Sequence, residues 1–319
     1  MTKKTVAVLL VCLLLSLISI ACQKREPLVP GGKKITVVAT LFPLYDFAKN
    51  IGGDMVEVEM LMPPGVETHS FEPRPEDVIK VNKADIFIYT GKYMEPWAED
   101  ILKGIDNKAL SVVDTGRVIV LREEGESGIH HDHKPAGREH EAEKDPHVWL
   151  DFSNARTMVG NILNGFIARD PANRDNYVRN AAIYSEKLAD LDRRFREGLS
   201  RCKTNTFIHG GHFAFGYLSG KYNLNYISAY KGYAPDSEPT PKRLKELIGN
   251  MKIHHLKYVF YEELISPRVA DTIAKETGAK LLQLHAAHNL TKEEWDQGAT
   301  FVSLMEKTLN NLKTGLECQ

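Results

Sequence analysis

Short runs of β-branched and aromatic residues alternate along the chain with stretches whose apolar positions recur every three or four residues. That order predicts βα units on parallel sheets. The first half offers strands at Ile35–Thr40, Val56–Leu61, Asp85–Thr90 and Leu110–Val113, and the second at Thr204–His209, Tyr226–Ala229, Tyr258–Tyr261 and Lys280–Leu284. The runs are nearly continuous in apolar residues, as strands covered on both faces should be. Between the halves, Tyr177, Ala181, Tyr184, Leu188, Leu191, Phe195 and Leu199 form a single stripe within Asn173 to Arg201, free of Pro and with no Gly before Gly198. A helix of about 29 residues would run about 43 Å. The pattern predicts an α/β fold of two lobes, each a four-stranded parallel sheet flanked by helices, joined by one long rigid backbone helix.

The N-terminus departs from this pattern. Lys3 and Lys4 precede an apolar run from Val6 to Ile20, too short to span a bilayer comfortably, and Ala21-Cys22 closes it. Ser19-Ile20-Ala21-Cys22 resembles a bacterial lipobox, which predicts a signal peptide over 1–21 and lipidation of Cys22; an ordinary cleaved signal or an uncleaved anchor are the alternatives. Residues 22–34 then read as a tether rich in charge, Pro and Gly. Cys12 leaves with the signal, so Cys202 and Cys318 are the candidates for a disulfide. Export permits one, but the sequence does not show that they meet.

Length and charge narrow the classes. The chain has 319 residues, 43% hydrophobic, with 41 basic against 42 acidic side chains. Loss of Lys3 and Lys4 with the signal leaves 39 against 42, a net charge of −3. Nothing here marks a nucleic-acid partner, which calls for a basic face. Neither a phosphate-binding G-x-x-x-x-G-K-[ST] loop, a G-x-S-x-G nucleophile elbow nor a helical H-E-x-x-H pair occurs.

The candidate chemistry lies in the histidines. His69 follows the second strand, His147 sits in Asp145-Pro146-His147-Val148-Trp149-Leu150-Asp151, His212 follows the fifth strand, and His285 and His288 follow the last. Ligands of open parallel sheets bind beyond the carboxyl ends of strands. These loops can therefore converge on one cleft, where neutral imidazoles suit a borderline cation. A lone loop histidine is more often a surface or capping residue; convergence of several is what shifts the reading.

PPGVETHSFEPRPEDV, ADIFIYTGKYMEPW, DPHVWLDF, HFAFGYLSGKYNL, SEPTPKRLKELI and LTKEEWDQGATFVSLMEKTLNNL resemble the metal-binding lipoproteins of zinc/manganese ABC importers, from about residue 35 to 312. The resemblance implies His69, His147 and His212 as core ligands, with His288 at the family's acidic fourth position and His285 as the other contender. Manganese-preferring members carry a carboxylate where this chain has His212, so Zn²⁺ is the expected cargo, in agreement with the preference of imidazole-rich sites.

The domain reading is an N-terminal lobe over 35–152, an interlobe helical region over 153–201 and a C-terminal lobe over 202–319. His130, His131, His133 and His140 lie in a His/acid-rich loop over 123–145, read either as weak extra metal capture or as a solvated insertion. Asp151 is either a hydrogen-bond acceptor for a ligand imidazole or a helix cap, and Glu262 and Glu263 are second-shell, docking or solvated groups. Trp97, Trp149 and Trp295 read as packing residues. The expected function is a non-enzymatic, lipid-anchored, extracytoplasmic zinc carrier. It is read as a monomer serving an ABC permease and its ATPase, with binding that weakens below about pH 6.5. Manganese or broader metal binding, and a surface adhesin, are the alternatives.

Overall fold

The computed structural model describes residues 34–123, 144–230, 232–233 and 239–319. The segment carrying Cys22 and the tract carrying His130, His131, His133 and His140 lie outside the described residues. Among the described residues, no helix is long and apolar enough to cross a membrane.

Each sequence half builds one sheet. Strands β1 (Ile35–Ala39), β2 (Val56–Met60), β3 (Ile86–Tyr89) and β4 (Ser111–Asp114) pair in the order β2-β1-β3-β4. Strands β5 (Thr206–His209), β6 (Asn225–Ser228), β7 (Tyr258–Glu262) and β8 (Lys280–Leu284) repeat that order as β6-β5-β7-β8. All pairs are parallel, with registers such as Val37↔Val58, Ile208↔Ile227 and Phe260↔Leu282. Strand β5 shows why the apolar runs were continuous. Phe207 enters the main core while its neighbour Ile208 enters a second cluster with Leu247, Met251, Val259 and Ile273, so both faces of the strand are buried.

The helices of the first half are α1 (Phe42–Gly52), α2 (Pro75–Lys83) and α3 (Ala98–Lys103). Helix α4 (Phe152–Arg169) leads into α5 (Arg174–Gly198), the long helix between the halves. The second half adds α6 (Gly216–Lys221), α7 (Pro241–Ile253), α8 (Arg268–Thr277), α9 (Lys292–Asp296) and α10 (Phe301–Gly315).

The predicted stripe is the buried face of α5: Tyr177, Ala181, Tyr184, Leu188, Leu191 and Phe195. Near its N-terminal half, Asn180 donates to the Ile51 carbonyl at 3.1 Å and the Tyr184 hydroxyl donates to Asp46 at 2.5 Å, both on α1. Near its C-terminal half, Arg194 pairs with Glu306 on α10. The helix thus touches both lobes, and the main core runs continuously from the first sheet through α5 to Phe260, Leu284 and α10. Residues 34–319 form one compact unit. A disulfide joins Cys202, just beyond α5, to Cys318, just beyond α10.

Candidate metal centre

Three loops at strand ends and the segment just before α4 bring His69, His147, His212 and His288 together. One ring nitrogen from each lies within 4.8 Å of the others, and the ring centroids are separated by 4.9 to 5.5 Å. His147 Nε2 lies 3.4 Å from His69 Nε2 and 3.3 Å from His212 Nε2. Zinc–nitrogen bonds of about 2.0–2.1 Å in a tetrahedron require nitrogens about 3.3–3.4 Å apart. His288 Nε2 is buried with no hydrogen-bond partner. A buried imidazole nitrogen normally has one, so this atom fits a metal-facing position.

Each imidazole is positioned by its own local chemistry. On the His69 loop, the Glu67 carboxylate accepts the backbone N–H groups of His69 at 3.0 Å and Ser70 at 2.8 Å. Gly65 takes φ +89°, a left-handed conformation that suits glycine, and donates its N–H to the Leu290 carbonyl at 2.8 Å. Asp145 receives both the backbone N–H of His147 at 3.0 Å and its ring Nδ1–H at 2.8 Å, leaving Nε2 to face the cluster. Glu262 accepts the His212 backbone N–H at 3.1 Å and lies 2.5 Å from its Nδ1. Only glycine permits that approach, because a Cβ on Gly211 would fall 2.2 Å from Glu262 Oε1. Glu263 lies 3.4 Å from His288 Nδ1 and accepts the N–H groups of Ala286 and Ala287 at 3.0–3.1 Å.

Burial and the neighbouring imidazoles hold the His69 and His147 rings well below the ordinary histidine range, so both rings are neutral at neutral pH and can offer a lone pair to a metal. Burial also pushes the Asp145 carboxyl up to about 8 and Glu262 up to about 7. Glu263 is buried as well, but the nearby His285 ring and the hydrogen bond with His288 bring it down to about 2. Trp149, fully buried, packs its ring 5.7 Å from His147 and 5.6 Å from His288. Its Nε1–H donates to the Ala286 carbonyl at 2.7 Å.

Other sequence-derived candidates fall elsewhere. His285 is buried but outside the cluster: its Nδ1 accepts the Ala287 N–H at 3.0 Å and its Nε2 lies 3.4 Å from Glu294. Asp151 takes the capping role, its Oδ1 accepting the Ser153 N–H at 2.8 Å at the start of α4 and pairing with Lys221 at 3.1 Å. The carboxylate on the His147 ring is Asp145, which the sequence reading did not single out. The signal was its place two residues before the histidine, from which one carboxylate reaches both backbone N–H and ring. Glu262 and Glu263 prove to be buried groups that hold imidazoles, neither solvated nor on the surface.

Residues 37–315 match the family described as ZnuA, zinc-uptake complex component A, periplasmic. The chain is 36% identical over 306 residues to the zinc-binding lipoprotein AdcA of Streptococcus pneumoniae, a match covering 96% of this chain but 60% of that longer protein. It is 36% identical over 285 residues to the high-affinity zinc uptake system protein ZnuA of Bacillus subtilis, covering 89% and 88% of the two chains. The crystal structure of the Zn(II)-bound ZnuA-like domain of S. pneumoniae AdcA superposes with a TM-score of 0.74 at 34% identity, covering 89% of this chain and all of that one. With a match across most of its length and a relative of similar size at this identity, the chain belongs to the ZnuA family.

Proposed function

We propose that this protein captures Zn²⁺ outside the cytoplasm with His69, His147, His212 and His288 and delivers it to an ABC permease for uptake. The carrying observation is the spacing of the His69, His147 and His212 Nε2 atoms, at 3.3 and 3.4 Å, which matches the edges of a zinc tetrahedron. Four nitrogen donors close the shell without an open position for substrate water, which favours carriage over catalysis. An all-imidazole shell also favours zinc over manganese, whose chemistry prefers carboxylate and water. Cys22, as the lipidated first residue of the mature chain, would hold the carrier beside its permease.

Capture draws on loops from both lobes. His69 is half-buried while the other three rings are buried, so the ion enters past His69 and passes to His147, His212 and His288. The test is a competition titration of the chelator-stripped mature protein with Zn²⁺ against Mn²⁺, alongside His212→Ala. One tight zinc equivalent that manganese does not displace, lost in the variant, is expected. Equal or tighter manganese binding would overturn the choice of metal, and absence of any tight site would overturn the carrier reading itself.

A further inference from the structure

Strand β7 lies between β5 and β8 in the second sheet, so the loops carrying His212 and His288 flank its carboxyl end. Two glutamates stand there in succession. Glu262 turns to the β5 loop, 2.5 Å from His212 Nδ1 and 3.1 Å from its backbone nitrogen. Glu263 turns to the β8 loop, 3.4 Å from His288 Nδ1, with the Ala286 and Ala287 N–H groups on its oxygens. Both are buried, 4% and 5% exposed. Burying adjacent carboxylates is costly unless hydrogen bonds or a cation compensate. Gly211 leaves the space that Glu262 occupies.

We infer that Glu262 and Glu263 are paired positioning residues that aim the Nε2 atoms of His212 and His288 at the metal and supply, one shell out, the negative charge that four neutral imidazoles lack. This rests on reading the four-histidine cluster as the zinc site. The mechanism is geometric and electrostatic. A carboxylate on Nδ1–H fixes the tautomer whose Nε2 lone pair faces the ion, and it raises the basicity of the ring. With Asp145 serving His147 in the same way, three of the four ligands are backed by a carboxylate. Counter-charge thus enters the site without an oxygen in the first shell, where it would favour manganese.

The test compares Glu262→Gln and Glu263→Gln with the wild type and with Glu294→Gln, which removes a nearby carboxylate that touches no cluster histidine. Each protein is titrated with Zn²⁺ against a chromophoric chelator, its metal-free melting temperature is recorded, and the Co²⁺ visible spectrum of the loaded form is taken. The expected result is a roughly 10- to 100-fold loss of zinc affinity in E262Q and E263Q, with an altered cobalt band and a metal-free melting temperature close to wild type. E294Q should bind as wild type does. Wild-type affinity and an unchanged cobalt spectrum in both variants would overturn the inference. So would a fall in melting temperature with the cobalt spectrum intact, since that marks a purely structural role. If E263Q does not fold, E262Q decides alone. Failure of the wild type to bind zinc would instead overturn the carrier reading.

Discussion

His285 and His288 stand three residues apart in one loop, yet only His288 reaches the cluster. Ala287 between them takes φ +59°, a left-handed conformation that costs a non-glycine residue about 1–2 kcal/mol. The Ala287 N–H is held by Glu263 and by the His285 ring, which sustains the turn that separates the two histidines. His288→Ala should therefore lower zinc affinity at least about tenfold, while His285→Ala keeps it within a few-fold; chelator competition reads both. Acidity gives a second prediction. Burial and the neighbouring imidazoles hold the His69 and His147 rings well below 6.5, so their protons do not compete for the site near neutrality. Asp145 and Glu262, at about 8 and about 7, retain protons in the metal-free protein that an arriving dication expels. Zinc binding at pH 7 should then release protons, and the release should fade as pH rises above 8, because the carboxyls are already ionised there. Calorimetry in buffers of different ionisation enthalpy measures this; release centred instead on pH 6.5 would place those protons on unperturbed imidazoles.

Among the elements, the strands and the long helix were the most legible. Every β run named from the sequence forms a strand within one or two residues at its ends; inner strands such as β3 and β5 are buried on both faces and leave an unbroken apolar signature, while the edge strand β2 alternates Val with exposed Glu. Six of the seven stripe residues form the buried face of α5, and the seventh, Leu199, is buried just past its end. The loops were legible in part. His69 and His212 converge as their strand-end positions implied, with His147 joining from the segment before α4, whereas the choice between His285 and His288 turned on a backbone angle that composition does not encode. Asp145 and Asp151 flank His147 in one short motif, and only the local turn decides which reaches the ring and which caps α4. Leu188, fully buried on α5, offers an element-scale test. Leu188→Ala should cost about 2–5 kcal/mol of unfolding free energy, read by urea denaturation, while zinc affinity of the folded protein stays unchanged because α5 contributes none of the four clustered histidines.

On the scale of residues 34–319, the segments that carry the four clustered histidines are also the ties between the lobes. Asn289, next to His288, donates its side-chain amide to the Pro63 and Val66 carbonyls at 2.8 and 3.0 Å on the His69 loop. Phe42 donates its N–H to the His288 carbonyl at 3.1 Å, and Trp149 donates to Ala286. On the side of His147, the Tyr217 hydroxyl accepts the Arg122 N–H at 3.0 Å and donates to the Asp145 carbonyl at 3.2 Å. Swinging the lobes apart would break these bonds together, and each buried group left unsatisfied costs about 1–3 kcal/mol. It would also divide a core that passes through α5 without interruption. The lobes should therefore keep their relation when the ion leaves, with motion confined to the loops. Small-angle scattering of the mature protein should give the same radius of gyration with and without zinc, while hydrogen exchange around His69 slows on binding. Asn289→Ala should speed zinc loss to a chelator by releasing the His69 loop from its neighbour. A clear increase in radius of gyration on metal removal would mean that α5 and these ties do not hold the lobes, and that delivery proceeds by a hinge instead of by loop release at the permease.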